Sequence, residues 1–369
     1  MGVRKRVMIW VAVMWATAAF VFGHQIHGRP EKAPVADAGA VQPASDGPPI
    51  PGDPAIHPPG GALNFLGRDE RTTSIPVFRT STRTVETPDL RSYLIGVVAG
   101  EMPADYPLEA LKAQAIAART YVLWARDHSV RALPEGAWVE DGEGDQVYVD
   151  EAALRARWKA AFDERYARIA RAVDETAGMI LVYDGAPILS TFFALSNGRT
   201  EDAAAYWSKP VDYLVSVPSA WDEAAPDFRA TAVFSRSEVL ARLGMKDPGY
   251  GPADAAASGA ALPKIVERTR AGYVAKVAFG PSTFTGRFVR ERLGLRSASF
   301  DVEDDGRTIT FITYGHGHGV GMSQWGAKAM AEAGYGAAEI LAHYYPGTRL
   351  LFGVGEKGIS QEEFVHDET

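Results

Sequence analysis

Apolar positions along the chain are clustered at the N-terminus and then patterned further on. An uncharged run from Val7 to Phe22, rich in Val, Ala, Met and Trp, follows the basic residues Arg4, Lys5 and Arg6. As a helix this run is about 24 Å long, slightly short of a hydrocarbon core, and Gly2, Val3 and Gly23 extend it while the basic side chains snorkel. Basic residues ahead of the run place the N-terminus inside and the rest outside. A cleaved signal peptide has the same layout, but the small-x-small site Ala16-Thr17-Ala18 lies inside the apolar run. An uncleaved single-pass membrane anchor over residues 1–26 is therefore expected. Residues 27–73 show no apolar periodicity and carry nine prolines between Pro30 and Pro59, which predicts a disordered tether.

Beyond Ser74 the pattern is that of a folded domain, expected over 74–352 with a tail over 353–369. Ile75 to Arg79 resembles a first strand. From Pro107 to Asp127 apolar residues recur at helical spacing (Leu108, Leu111, Ala115, Ala118, Val122), with proline in the first turn. The other faces are nearly apolar too (Ala110, Ala113, Ile116, Ala117), so this Ala-rich helix should be buried on several sides. A more charged helix is expected over Glu151 to Glu175. Met179 to Tyr183 and Ile188 to Ala194 read as paired strands joined at Asp184-Gly185. Tyr273 to Phe279 and Thr308 to Tyr314 alternate like strands, the latter after the turn Asp304-Asp305-Gly306. Helices close the domain from Ser323 to Ala333 and from Ala337 to His343. Without a regular βαβ repeat, the fold class is α+β, mixed and largely antiparallel.

Composition narrows the chemistry. A net charge of −8 argues against a sequence-independent nucleic-acid binder, which needs a basic face. The absence of cysteine removes disulfides, thiolate nucleophiles and Cys-type zinc sites.

Four groups of residues carry candidate chemistry. Glu101-Met102-Pro103 sits in a stiff turn ahead of the buried helix, as a general acid or as a capping or salt-bridging carboxylate. Lys112, Gln114 and Arg119 are polar groups on an otherwise apolar helix, and such groups need partners. Lys112 and Arg119 share a face two turns apart, and either form a cationic wall for a carboxylate-bearing ligand or snorkel to solvent. Ser196-Asn197-Gly198-Arg199-Thr200-Glu201, with Tyr206-Trp207 and Trp221-Asp222, has the hydroxyls, amides and aromatics of a sugar-binding cleft and equally of ordinary turns. In the run Gly315 to Ala327, four alternating glycines let the backbone approach a ligand. His316 and His318 lack a third partner in any metal-ligand spacing, so no metal is expected.

Taken in order, Tyr93 to Pro103, Glu109 to Ala115, Ala118 to Tyr121, Asp145-Gln-Val-Tyr148, Ser196-Asn-Gly198 with Thr200-Glu201, Gly317 to Ala327 and His343-Tyr-Tyr-Pro-Gly347 resemble the signature of the stage II sporulation protein D family and its amidase-enhancer relatives. The resemblance covers Ser74 to Leu351. It implies a membrane-anchored extracytoplasmic lytic transglycosylase, cutting the MurNAc–GlcNAc bonds of peptide-stripped peptidoglycan glycan strands to 1,6-anhydro ends. No cofactor is implied. Glu101 falls on the family's acid, while Lys112, Gln114, Arg119, Ser196, Asn197, Tyr206, His318, Ser323, Gln324 and Tyr344 would line the glycan cleft. The implied setting is the forespore engulfing membrane, with stage II sporulation proteins P and M as partners. The alternative is a non-catalytic glycan-binding activator of a cell-wall amidase. Two departures stand out: zinc-binding members use Cys and His that this chain lacks in part, and His316 stands where the family usually has an aromatic.

Overall fold

The buried helix organises the molecule. In the computed structural model, which describes residues 69–128, 133–142, 144–245, 263–352 and 360–362, it is α2 (Leu108–Asp127), preceded by α1 (Leu90–Glu101). Every residue of α2 from Ala110 to Ala125 is buried except Lys112. Six alanines in that stretch let neighbours pack close on all sides. Those neighbours are α1, α4 (Phe162–Asp174), α8 (Gln324–Glu332), α9 (Ala337–Tyr344) and strand β4 (Met179–Tyr183). Burial of large apolar side chains here (Leu94, Leu111, Ile116, Leu123, Ile340) stabilises the fold by roughly 1.5–3 kcal/mol each.

Small antiparallel sheets flank this helical core. β1 (Val77–Arg79) pairs antiparallel with β2 (Thr84–Glu86) and parallel with β3 (Val139–Glu140). The helix expected over 151–175 is broken into α3 (Glu151–Trp158), a 3-10 turn and α4, because Lys159 adopts a left-handed φ of 50°. The expected long hairpin is also cut short. On one edge β4 pairs with the short β5 (Ala186–Pro187), with one further bond from Ile188 N–H to the Leu181 carbonyl, and β14 (Arg349–Phe352) takes its other edge with β15 (Ser360–Glu362) outside it. The chain then turns inward, and β6 (Phe192–Phe193) runs parallel to β13 (Met322–Ser323).

A second lobe with its own apolar core occupies 229–314 and follows the short helix α5 (Ala203–Trp207). β7 (Arg229–Ser235) leads to α6 (Arg236–Arg242). β8 (Lys264–Arg268), β9 (Val274–Phe279) and β10 (Ser282–Phe284) form one sheet, packed by α7 (Gly286–Leu293). β11 (Phe300–Asp304), β12 (Thr308–Tyr314) and β7 form the other. Phe279, Val289, Phe300 and Phe311 fill the space between. The class is α+β with mainly antiparallel sheets.

The expected anchor (1–26) and most of the tether and tail lie outside the described residues. Among those described, no helix is long and apolar enough to cross a membrane. Core contacts reach N-terminally of Ser74 as far as Glu70.

Candidate active site

Glu101 is the last residue of α1, with Met102 as C-cap in extended conformation. The turn that follows is stiffened by Pro103 and Pro107, and Pro107 is the N-cap position of α2. A helix C-terminus carries a partial negative charge, the reverse of the N-terminal setting expected from the sequence, and disfavours an anion there. Two neutral donors oppose that. Val147 N–H donates to Glu101 Oε1 at 2.8 Å, and the Gln324 side-chain amide donates to Oε2 at 3.2 Å. The carboxyl is partly exposed.

Val147 reaches Glu101 because position 100 is glycine. A Cβ there would lie 2.5 Å from the Val147 carbonyl oxygen. The rest of the Asp145–Tyr148 segment is pinned to the helices: Asp145 accepts from Tyr121 Oη and from Glu140 N–H, and Gln146 donates to Tyr93 Oη and the Ala118 carbonyl. From the other side, Gln324 heads α8, and its amide nitrogen also lies 3.5 Å from Gln114 Oε1. Gln114 is fully buried. Glu101, Gln114 and Gln324 are therefore brought together.

Ser323, one residue earlier, points elsewhere. Its hydroxyl donates to Asp222 Oδ1 at 2.9 Å and accepts from Gly326 N–H as the N-cap of α8. Asp222 Oδ2 accepts from Ser196 N–H, also at 2.9 Å. Ser219, hydrogen-bonded to Asp222 as well, meets Tyr344 Oη at 2.7 Å. Ser196, Ser323 and Tyr344 thus converge on one buried carboxylate, which the sequence offered only beside Trp221 as part of a sugar-binding loop. Burial pushes the Asp222 pKa up to about 6 even against these hydrogen bonds. The adjacent residues 323 and 324 tie the two acids to one helix end. The glycine run that delivers them has left-handed φ at Gly315, Gly317, Gly319 and Gly321, the conformations its sequence predicts.

The remaining predicted residues are placed elsewhere. Lys112 bridges Glu109 and Glu175 at 2.8 and 2.7 Å. Arg119, 1% exposed, is held by Glu70 and by the carbonyls of Ala115, Val173 and Met179. The two cations do not form a shared wall: each is neutralised by carboxylates of its own chain. Asn197 donates to the Ala271 carbonyl and Ser299 Oγ, bolting its loop to the second lobe. His318 packs among Phe193, Tyr206 and Trp207. Its Nε2–H donates to the Phe192 carbonyl and its Nδ1 accepts from Val320 N–H. Burial lowers its pKa to about 3, so the ring is neutral. Burial, then the Arg296 and Arg290 charges, lower His316 to about 4. Among the described residues no group of three His, Asp or Glu side chains is arranged to hold a metal ion.

Fold and site define an α+β protein that presents one partly exposed carboxyl, held by neutral donors, between an alanine-rich buried helix and a glycine-rich loop. The Stage II sporulation protein family model matches residues 79–183. Stage II sporulation protein D of Bacillus subtilis (strain 168) is 43% identical over 279 residues, which is 75% of this chain and 78% of that protein. The Bacillus amyloliquefaciens protein of the same name is 42% identical, over 76% of this chain and 79% of its own length. The chain belongs to the stage II sporulation protein D family. It is also 29% identical to the amidase enhancer of Bacillus subtilis (strain 168), over 70% of this chain and 40% of that longer protein.

Proposed function

We propose that the protein is a lytic transglycosylase that cleaves MurNAc–GlcNAc bonds in peptidoglycan glycan strands during sporulation. The observation that carries this reading is Glu101, a single acid held by Val147 and Gln324 in segments that all belong to the family signature. In this mechanism the Glu101 carboxyl gives its proton to the glycosidic oxygen, and the leaving sugar departs with a free hydroxyl. The C6 hydroxyl of the muramic residue then bonds to C1 and returns its proton to Glu101. The product is a 1,6-anhydro end, and no water is consumed. The Val147 and Gln324 donors stabilise the carboxylate in the interval between the two proton transfers.

A hydrolase needs a second carboxylate open to water or to the sugar. Asp222, joined to Glu101 through the adjacent residues Ser323 and Gln324, is sealed, with both oxygens engaged by Ser196 and Ser323. That favours the one-acid route. The setting that goes with this reading is an N-terminally anchored, extracytoplasmic enzyme of the engulfing membrane, acting with stage II sporulation proteins P and M. A second reading, a glycan-binding activator of a cell-wall amidase, draws on the similarity to the amidase enhancer.

The deciding experiment is mass spectrometry of peptide-free glycan strands digested with the wild type and with Glu101→Gln. Anhydromuramic ends made by the wild type and absent with the variant support the transglycosylase. Reducing ends mean a hydrolase. Binding without cleavage by either protein moves the activator to first place.

A further inference from the structure

The cations expected to read the muramic carboxylate are committed elsewhere, and the structure offers another. Lys112 is held by two carboxylates, Glu109 and Glu175, and Arg119 is sealed against Glu70. We infer that Lys328, seated between Trp325 and Tyr106, recognises the free lactyl carboxylate of a muramic residue next to the cleavage site. This rests on the transglycosylase reading and names a specificity group within it.

Lys328 lies four residues after Gln324 on α8, hence on the same face and about 6 Å further along the axis. Gln324 touches Glu101. The loop that leaves Glu101 comes back to the same helix at Tyr106, whose ring centroid is 6.0 Å from Lys328 Nζ. Two contacts one helical turn apart therefore define one wall: Glu101 with Gln324, then Tyr106 with Lys328. The ammonium also sits 4.6 Å from the Trp325 ring. Both rings are partly exposed. Aromatic faces beside a cation suit a sugar that is rich in C–H groups and carries one anionic substituent.

The ion pair that Lys328 makes is easy to exchange. Its carboxylate is Glu332, at 2.7 Å on the next turn, with 53% of that side chain exposed. Such surface pairs contribute little and give way to a competing carboxylate, unlike the buried pair at Arg119. In a glycan strand the lactyl carboxylate is the negative group, and it is free only when no stem peptide is attached. With the peptide in place the same carbon is a neutral amide, so the anion at that position is lost. Lys328 thus discriminates stripped from unstripped strands by the charge at the lactyl carbon.

The test compares two strands of equal length, one with free lactyl carboxylates and one with these converted to primary amides. Binding and cleavage are measured for the full-length wild type, Lys328→Gln and Lys328→Arg, with thermal unfolding to verify folding. The wild type is expected to prefer the carboxylate strand by about threefold in affinity or KM, a difference of about 0.7 kcal/mol. Lys328→Gln should lose that preference with kcat nearly unchanged, and Lys328→Arg should keep part of it. Equal preference in the wild type and Lys328→Gln, or none in the wild type, overturns the inference while leaving any cleavage activity standing. If the wild type binds without cleaving, the transglycosylase reading fails and the binding ratio still decides the role of Lys328. Neither binding nor cleavage of either strand overturns both.

Discussion

Replacing Asp222 by Asn should remove a pH dependence that the wild type carries between about pH 4 and 6. The side chain is fully buried, and burial lifts its pKa from an ordinary 3.8 to about 6, with the hydroxyls of Ser196, Ser323 and Ser219 pulling the other way. In the unfolded chain the group loses its proton near 3.8, in the native protein near 6. Below the lower value both states are protonated and stability is at its fullest. Between the two the unfolded state ionises first, so stability falls as pH rises, and above 6 the whole penalty is present. An interval of about 2 pH units at roughly 1.4 kcal/mol per unit gives about 3 kcal/mol. Urea unfolding followed by tryptophan fluorescence, repeated from pH 4 to 7.5 on both proteins, measures it. Glu201, raised by burial, contributes in the same sense, whereas His316 and His318, both lowered, contribute in the opposite one. All three cancel in the difference between the two proteins. The lost hydrogen bond of the amide adds an offset independent of pH. The wild-type advantage should therefore shrink by about 3 kcal/mol between pH 4 and 7. A difference that is flat to within about 1 kcal/mol would refute the assignment of Asp222 as a sealed, destabilised acid.

Three further outcomes follow from the same geometry. Arg119→Ala leaves the part-buried Glu70 without its cation, so unfolding in denaturant should show a loss of about 2–3 kcal/mol; reduced glycan affinity at unchanged stability would make Arg119 a substrate group after all. Gly100→Ala puts a methyl 2.5 Å from the Val147 carbonyl oxygen, which displaces the donor on Glu101. Cleavage should fall by about tenfold or more, and a fully active variant would mean that Val147 does not position the acid. Chelators should leave activity unchanged in a product assay, because both ring nitrogens of His318 are spent on Phe192 and Val320; inhibition reversed by added zinc would contradict this.

The parts of the fold that were legible in the sequence are those decided locally. α2 could be read because Pro107 and a run of alanine and leucine at helical spacing speak for themselves, and α8 because Ser323 is a natural N-cap. α1 was not recognised as a helix. Its Ile95, Val97 and Val98 are β-branched and its Gly96 and Gly100 weaken a helix, so propensity argues against the observed state. Tertiary contact overrides it: added side chains at those glycines would collide with Tyr148 and Val147. The hairpin at Asp184-Gly185 was real but short, since Phe192 and Phe193 serve β13 instead.

The same distinction separates the site residues. Glu101, Gln114 and Gln324 drew attention because their types and motifs carry chemistry in themselves, and the structure sets them side by side. Asp222 did not stand out, because its meaning comes from Ser196, 26 residues away, and Ser323, 101 residues away. Arg119 and Lys112 misled for the complementary reason: a cation on an apolar helix demands a partner, and spacing cannot say whether that partner is ligand or protein. The outcome has a consequence for mechanism. With those cations neutralised and Asp222 sealed, the two donors that hold Glu101, the Val147 N–H and the Gln324 amide, do not titrate. Both keep the same charge while the acid gives up and regains its proton, which suits a reaction in which one carboxyl serves first as acid and then as base. Cleavage should accordingly fall as pH rises and Glu101 loses its proton, and Asp222→Asn should move stability far more than it moves that alkaline limb. A displaced alkaline limb in Asp222→Asn would mean that the two carboxyls titrate as a coupled pair.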